Sequence, residues 1–324
     1  DDFTVGNITA RPGEAASGII SIPAADDPGA ELPITIVHGA KPGPVLALVA
    51  GNHGYEYPPI LALLRLRKSL NPKNLSGTVI MVHVANMPSF LKRTIYYNPH
   101  DWVNLNRAFP GKKDGTMCER IAHQITKEVI DNCDYLIDNH CGDGNEDLMP
   151  YLYCPRTGDT ELDKKTRALA VNYGLKVIID DRTRPSDKNA SVYCGNTALT
   201  RGKPAITIES GKLGRTDEED VVRIVECTYN TMKHLKMIDG KPDIKFEPVW
   251  VKEYTIIRAE YDGLFYPLIH RGHHVQKNEL VGYLTDFFGN TIQEVKAPYD
   301  GMVLYIIATP PMSKGEPMTS IARF

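Results

Sequence analysis

His53-Gly54-Tyr55-Glu56 places an imidazole and a carboxylate three residues apart, directly after the apolar run Val45-Leu46-Ala47-Leu48-Val49-Ala50-Gly51. At that spacing a ring nitrogen and a carboxylate oxygen can turn toward one point. Zinc takes such a mixed pair in catalytic sites, where three protein ligands leave a fourth position for water. The third ligand is expected at His140, which ends a second apolar run, Tyr135-Leu136-Ile137-Asp138-Asn139-His140. Glu209 ends a third, Ala205-Ile206-Thr207-Ile208-Glu209. A carboxyl group at the end of an apolar strand is desolvated, which raises its pKa toward the range useful for proton transfer. It can take a proton from metal-bound water and hand it to a leaving amine. Singly, these residues have plainer readings: His53 and Glu56 as a surface loop, Glu209 as a buried carboxylate paired with an arginine or lysine. Their common position at strand ends favours a metal-dependent hydrolase.

Positive charge comes from the segment Arg93 to Gly111, which contains Asn104-Leu105-Asn106-Arg107-Ala108-Phe109-Pro110-Gly111. The Arg107 guanidinium can grip a carboxylate through two parallel hydrogen bonds, and the Asn106 amide can add another. An arginine near the metal can also steady an oxyanion. Asp138 stands two residues before His140, where it either orients that histidine or caps nearby backbone.

The elements that must position these residues alternate in type. Short runs rich in Val, Ile and Leu at 45–50, 78–84, 176–180 and 205–209 suit strands covered on both faces. Pro58 and Pro59 fit a first helical turn, and Thr116 with Glu119 forms a capping-box pattern. Thr160 opens another helix that Gly174 would stop, and Thr216 with Glu219 repeats the capping pattern. Strands alternating with helices indicate an α/β domain around a mostly parallel sheet, with ligands bound beyond the carboxyl ends of the strands. After Asp239-Gly240-Lys241-Pro242 the pattern changes to short β-like stretches broken by Gly and Pro. The expected division is a hydrolase domain over residues 1–242 and a smaller all-β domain over 243–324.

A chain of 324 residues can hold two such units, and a net charge of −3 with no basic stripe argues against nucleic acid. No apolar run approaches the roughly 20 residues a membrane helix needs, so no membrane partner is expected. The six cysteines contain no C-x-x-C pair, which disfavours a cysteine-rich zinc site or thioredoxin-like chemistry. Cys141 reads as a buried structural thiol. The first residue is Asp1, which fits a mature exported protein or a shortened chain, with a lean toward export.

Together, His53-Gly54-Tyr55-Glu56, Asn104 to Gly111, Asp138-Asn139-His140 and Ile208-Glu209-Ser210-Gly211 resemble the succinylglutamate desuccinylase/aspartoacylase family, a branch of the zinc carboxypeptidase-like hydrolases. The resemblance spans 45 to about 235. It implies one zinc per chain on His53, Glu56 and His140. It also implies a substrate carboxylate on Asn106 and Arg107, Glu209 as general base and acid, and Arg93 as the oxyanion-stabilising arginine. The implied fold is a zinc-carboxypeptidase-like mixed sheet flanked by helices. Gly272 to Gly282 and Ala297 to Val303 resemble a biotinyl/lipoyl-type β-sandwich. The stretch that would present the carrier lysine, Thr285-Asp286-Phe287-Phe288-Gly289-Asn290, has none, so a domain shaping the mouth of the active site is expected.

The expected activity is hydrolysis of the amide bond of a small N-acyl amino acid or related amide. The rival readings are a metallocarboxypeptidase acting on short or cell-wall peptides, and a non-catalytic binding protein on the same scaffold. A homo-oligomer is compatible with all three.

Overall fold

A computed structural model describes all of residues 1–324. A hairpin of β1 (Phe3–Val5) and β2 (Ile8–Ala10) leads into β3 (Glu14–Ile22) and β4 (Ala30–His38). Then come β5 (Lys41–Ala50), α1 (Tyr57–Ser69), β6 (Ser76–Val82), α2 (Met87–Lys92), α3 (Met117–Ile125) and β7 (Tyr135–His140). They are followed by β8 (Glu146–Leu148), β9 (Tyr151–Pro155), α4 (Thr160–Tyr173), β10 (Val177–Asp181), α5 (Cys194–Leu199), β11 (Ala205–Glu209) and α6 (Glu218–His234).

Nine strands form one sheet in the order β12-β10-β9-β11-β7-β5-β6-β4-β3, with β12 (Val249–Val251) at one edge. The pairs β12–β10, β10–β9, β11–β7, β7–β5 and β5–β6 are parallel, whereas β9–β11, β6–β4 and β4–β3 are antiparallel. The sheet is therefore mixed. Strand alternation divides its side chains between two cores. Leu46, Leu48 and Ala50 of β5 join Leu63, Leu169 and Ile224 from α1, α4 and α6; Ala47 and Val49 join Ile121 of α3 and Ala198 of α5 on the other face.

The helix ends follow the sequence with one exception. Pro58 and Pro59 lie in the first turn of α1, the Thr116–Glu119 capping box closes the start of α3, and Gly174 ends α4 at φ 99°. The Thr216–Glu219 box does not form. Asp217 is the residue before α6, its side chain makes no cap, and its carboxylate instead pairs with Lys212 at 3.1 Å.

The rest of the chain is antiparallel: β13 (Glu253–Arg258), β14 (Gly263–Pro267), β15 (His274–Val275), β16 (Leu280–Thr285), β17 (Thr291–Lys296), β18 (Gly301–Ile307), β19 (Pro311–Met312) and β20 (Pro317–Arg323). They make the sheets β13-β20-β18-β15 and β17-β16-β14-β19, with Phe265, Val281, Val303 and Ile321 among the residues buried between them. Two strands cross the seam with the large sheet. β12 pairs with β10, and β8 pairs with β18 through Leu148↔Tyr305 and Asp147↔Ile306. The opposite face of β18, Met302 and Leu304, packs with Tyr151 and Ile179 of the large sheet. At the β16–β17 turn Asp286 caps the backbone of Phe288 and Asn290, leaving Phe287 and Phe288 exposed.

Candidate active site

The parallel strands β5, β7 and β11 lie side by side and end together, with Glu209 in register with His140. His53 and Glu56 follow β5 in the turn leading into α1. Gly54 permits this turn because a Cβ there would fall 2.1 Å from the backbone nitrogen of Phe90. That close approach brings α2 over the site.

His53, Glu56 and His140 are buried, and their ligating atoms all lie within 4.8 Å of one another. Glu56 Oε1 is 2.6 Å from His53 Nδ1, and Oε2 is 2.9 Å from His140 Nδ1. The far nitrogens are engaged elsewhere. His53 Nε2 lies 3.1 Å from Asn104 Oδ1, and His140 Nε2 lies 3.1 Å from Asp138 Oδ1. If each Nε2–H donates to its oxygen acceptor, each Nδ1 presents a lone pair to the Glu56 carboxylate. Such an arrangement calls for a cation between them, and the donor set fits a divalent metal. Burial alone would raise the Glu56 carboxyl, but the two imidazoles outweigh it and hold it down to about 2. Burial would likewise lower both histidines; Glu56 outweighs it at His53, and Asp138 with Glu56 outweighs it at His140, so both are raised. A second acidic trio, Asp217, Glu219 and Asp220, surrounds Lys212 Nζ at 3.1, 3.6 and 3.4 Å and has its counter-ion already.

The Glu209 side chain makes no hydrogen bond and has no arginine or lysine partner. Burial, with Glu56, Glu146 and Asp138 nearby, pushes its carboxyl well above the usual range against the opposing pull of His140. Asp138 combines the two roles open to it: Oδ1 stands beside His140 Nε2 and accepts from Asn52 Nδ2 at 2.8 Å, and Oδ2 accepts from the backbone of Gly195 at 3.4 Å.

Asn106 lies over the cluster, with Nδ2 at 3.3 Å from His140 Nε2 and Oδ1 accepting from the backbone of Cys194 at 2.9 Å. Arg107 is exposed; its Nη1 donates to the Asn106 carbonyl at 2.9 Å, and its guanidinium lies 4.7 Å from the Tyr193 ring centre. Arg184 approaches the same ring at 4.4 Å and is ion-paired with Asp181. The structure does not bring Arg93 into this group. It ends α2 at φ 54°, is exposed, and lines an apolar cavity of about 370 Å³ with Tyr57, Ile60 and Phe90.

The residue of that loop which turns inward is Tyr96, at φ 62°. Its ring meets His53 edge-on at 5.7 Å, and its hydroxyl lies 2.9 Å from Glu146 Oε1 and 3.0 Å from Asn145 Oδ1. Asp143 and Glu146 line the same side, and burial raises both, Asp143 to about 7. Sequence gave no signal for Asp143, Glu146 or Arg184, which lie outside the apolar runs. Asn104 was within reach of it, inside the Asn104-Leu105-Asn106-Arg107 motif. Cys141 is buried and its thiol is pushed well up by that burial, as expected of a structural cysteine; all six cysteines are unpaired.

Metal-type donors converging at the strand ends of a mixed α/β sheet, beside an unpaired carboxyl, define the class of site found in hydrolases. The chain belongs to the succinylglutamate desuccinylase/aspartoacylase family: the family's catalytic-domain model matches residues 42–235. An N-alpha-acetyl-L-2,4-diaminobutyric acid deacetylase from Halomonas elongata is 26% identical over 298 residues, covering 88% of this chain and 85% of that protein. A succinylglutamate desuccinylase/aspartoacylase structure from Rhodobacter sphaeroides superposes with a TM-score of 0.85 at 24% identity, over 97% of this chain and 96% of that one. The product-bound ectoine utilization protein EutE (DoeB) from Ruegeria pomeroyi gives 0.84 at 23% identity, over 97% of each chain. No helix is long and apolar enough to cross a membrane.

Proposed function

We propose that this protein is a zinc-dependent amidohydrolase that removes the acyl group from a small N-acyl amino acid, with one zinc per chain on His53, Glu56 and His140. The observation that carries this reading is the buried His-Glu-His cluster with Glu209 in register beside His140. Zinc in such a site supplies a Lewis acid for the acyl carbonyl and an acidified water. Glu209, lacking any hydrogen-bond partner, is the proton acceptor for that water and then the donor to the leaving nitrogen. Asn106 Nδ2 and the Arg107 guanidinium hold the substrate carboxylate, and the Tyr193 ring keeps Arg107 in place. Asn104 and Asp138 fix the tautomers of the two histidines.

The mixed sheet, eight of whose nine strands lie within residues 1–242, supports placing that region among carboxypeptidase-like hydrolases. The 243–324 region is its β companion at the mouth of the site. Ala308 N donates to the Asn145 carbonyl at 2.9 Å, which ties that region to the segment carrying Asp143 and Glu146.

The test is metal content by elemental analysis together with deacylation of N-acetyl amino acids. About one zinc per chain in the wild type, lost in His140→Ala, is expected alongside hydrolysis. A folded wild type that refuses zinc, or that carries it and cleaves only peptides, would sink the reading.

A further inference from the structure

Two groups of loop residues around the metal-type cluster differ in character. Arg107 lies against the Tyr193 ring, and Arg184 lies against the same ring with Asp181 as its ion-pair partner. Tyr96 stands against His53 instead, with Asp143 and Glu146 bonded to it. No lysine or arginine pairs with either acid: Asp143 accepts from the backbone of Gly144 and Tyr96, and Glu146 from the backbone of Asp143 and from Tyr96. In an N-acyl amino acid the carboxylate lies on the amine side of the scissile bond. With that carboxylate on Asn106 and Arg107 and the acyl carbonyl at the cluster, the acyl chain leaves on the side away from the amine, and the Tyr96 ring beside His53 is positioned to meet it.

We propose that Tyr96 closes the acyl end of the pocket and restricts the substrate to a short, uncharged acyl group such as acetyl. This rests on the deacylase reading and refines it, since the family's own name joins enzymes of different acyl groups. The Tyr96 side chain is built as a fixed wall. Its backbone stands at φ 62°, a conformation unfavourable for a bulky residue. The chain holds it there with the ring against His53, the hydroxyl between Asn145 and Glu146, and the backbone N–H on Asp143 at 3.4 Å. A longer aliphatic chain would collide with the phenol. A succinyl chain would in addition bring its terminal carboxylate beside Asp143 and Glu146, neither of which pairs with a lysine or arginine.

The experiment measures kcat/KM for N-acetyl, N-butyryl and N-succinyl derivatives of aspartate, glutamate and 2,4-diaminobutyrate. It compares the wild type with Tyr96→Phe and Tyr96→Ala, with zinc content recorded for each. The wild type is expected to prefer acetyl over butyryl by roughly 10- to 100-fold, the range a size-limited pocket delivers, and to prefer it over succinyl by more. Tyr96→Phe keeps the ring and should keep the acetyl-to-butyryl ratio. Tyr96→Ala should narrow that ratio about tenfold while succinyl stays poor. Wild-type turnover of succinyl or butyryl as fast as acetyl overturns the proposal, and does so even if Tyr96→Ala fails to fold. Equal loss on all acyl groups in a zinc-loaded Tyr96→Ala also overturns it, because the ring would then serve His53 rather than the acyl chain. No turnover of any derivative by the zinc-loaded wild type removes the deacylase reading itself, and this refinement falls with it.

Discussion

The residues at the strand ends and those on the covering loops meet at one cluster but are held in different ways. His140 and Glu209 are the last residues of strands locked in a parallel ladder, and His53 and Glu56 follow a third strand in the same sheet. Their neighbours along the strands are fully buried aliphatics such as Leu48, Ile137 and Ile208. Tyr96, Asn104, Asn106, Arg107 and Tyr193 instead stand on connections with little regular structure, where Arg93, Tyr96, Trp102 and Val192 all take positive φ. The difference separates two tasks. On the proposed function, groups that hold a metal or move protons need fixed mutual geometry, which a ladder provides; groups that recognise one substrate among many sit on segments whose shape can vary while the sheet stays the same.

The largest test of that division is at the strand end. Glu209→Gln keeps the size and burial of the side chain but cannot accept a proton. On the proposed mechanism kcat should fall by roughly 10²- to 10⁴-fold while zinc content stays at the wild-type level. The pH profile sharpens the assignment. The base works when unprotonated, so activity is lost as pH falls through its pKa. Because burial and the neighbouring carboxylates raise the Glu209 carboxyl, that acid limb should lie above the usual carboxylate range and be absent from the variant's residual rate. A variant that retains full activity would mean the proton passes through another group.

The next effect belongs to the loops. On the proposed reading Arg107→Ala removes a charged partner of the substrate carboxylate, a contact worth about 1.5–3 kcal/mol. Steady-state kinetics should show kcat/KM reduced by roughly tenfold to a hundredfold, mostly through KM. A loss carried by kcat alone would move Arg107 from substrate binding to the chemistry and blur the contrast between strand and loop.

The same contrast governs what sequence discloses. Strand-end residues announce themselves because a continuous apolar run stops at a polar side chain, as at His140 and Glu209. The Thr116–Glu119 box and Gly174 are legible because caps are local chemistry. The Thr216–Glu219 pattern misleads because Lys212, folded back onto Asp217 and Asp220, supplies a competing partner that no local rule contains. β3 carries exposed and buried residues in alternation with small polar side chains, so no apolar run marks it. β12 follows the change of texture after residue 242 yet pairs with β10 in the large sheet, a long-range pairing that composition does not register. Asp143 and Glu146 are hidden for a related reason. Charged residues outside the apolar runs look solvent-exposed until the β8–β18 pairing and the Tyr96 ring bury them. Arg93 and Tyr96 lie three positions apart in one loop, and only the backbone turn decides which of the two faces inward.

The smallest effect tests where strand and loop meet. Asn104 belongs to the loop, yet its Oδ1 lies 3.1 Å from His53 Nε2 and also accepts from the backbone of Asn106 at 2.9 Å. One oxygen is thus placed to accept from the imidazole of a metal-type ligand and to start the short turn that carries Asn106 and Arg107. Outer partners of this kind change metal affinity by about 10- to 100-fold when removed. Asn104→Ala is expected at the low end, about tenfold weaker zinc in a chelator competition, because Nε2 can find water instead. Asn104→Asp preserves the acceptor, makes the imidazole a stronger donor to the metal, and should bind zinc at least as tightly as the wild type. Equal weakening in both variants would show that the amide matters for the turn alone, and that His53 takes its orientation from Glu56 and the Tyr96 ring without help from the loop oxygen.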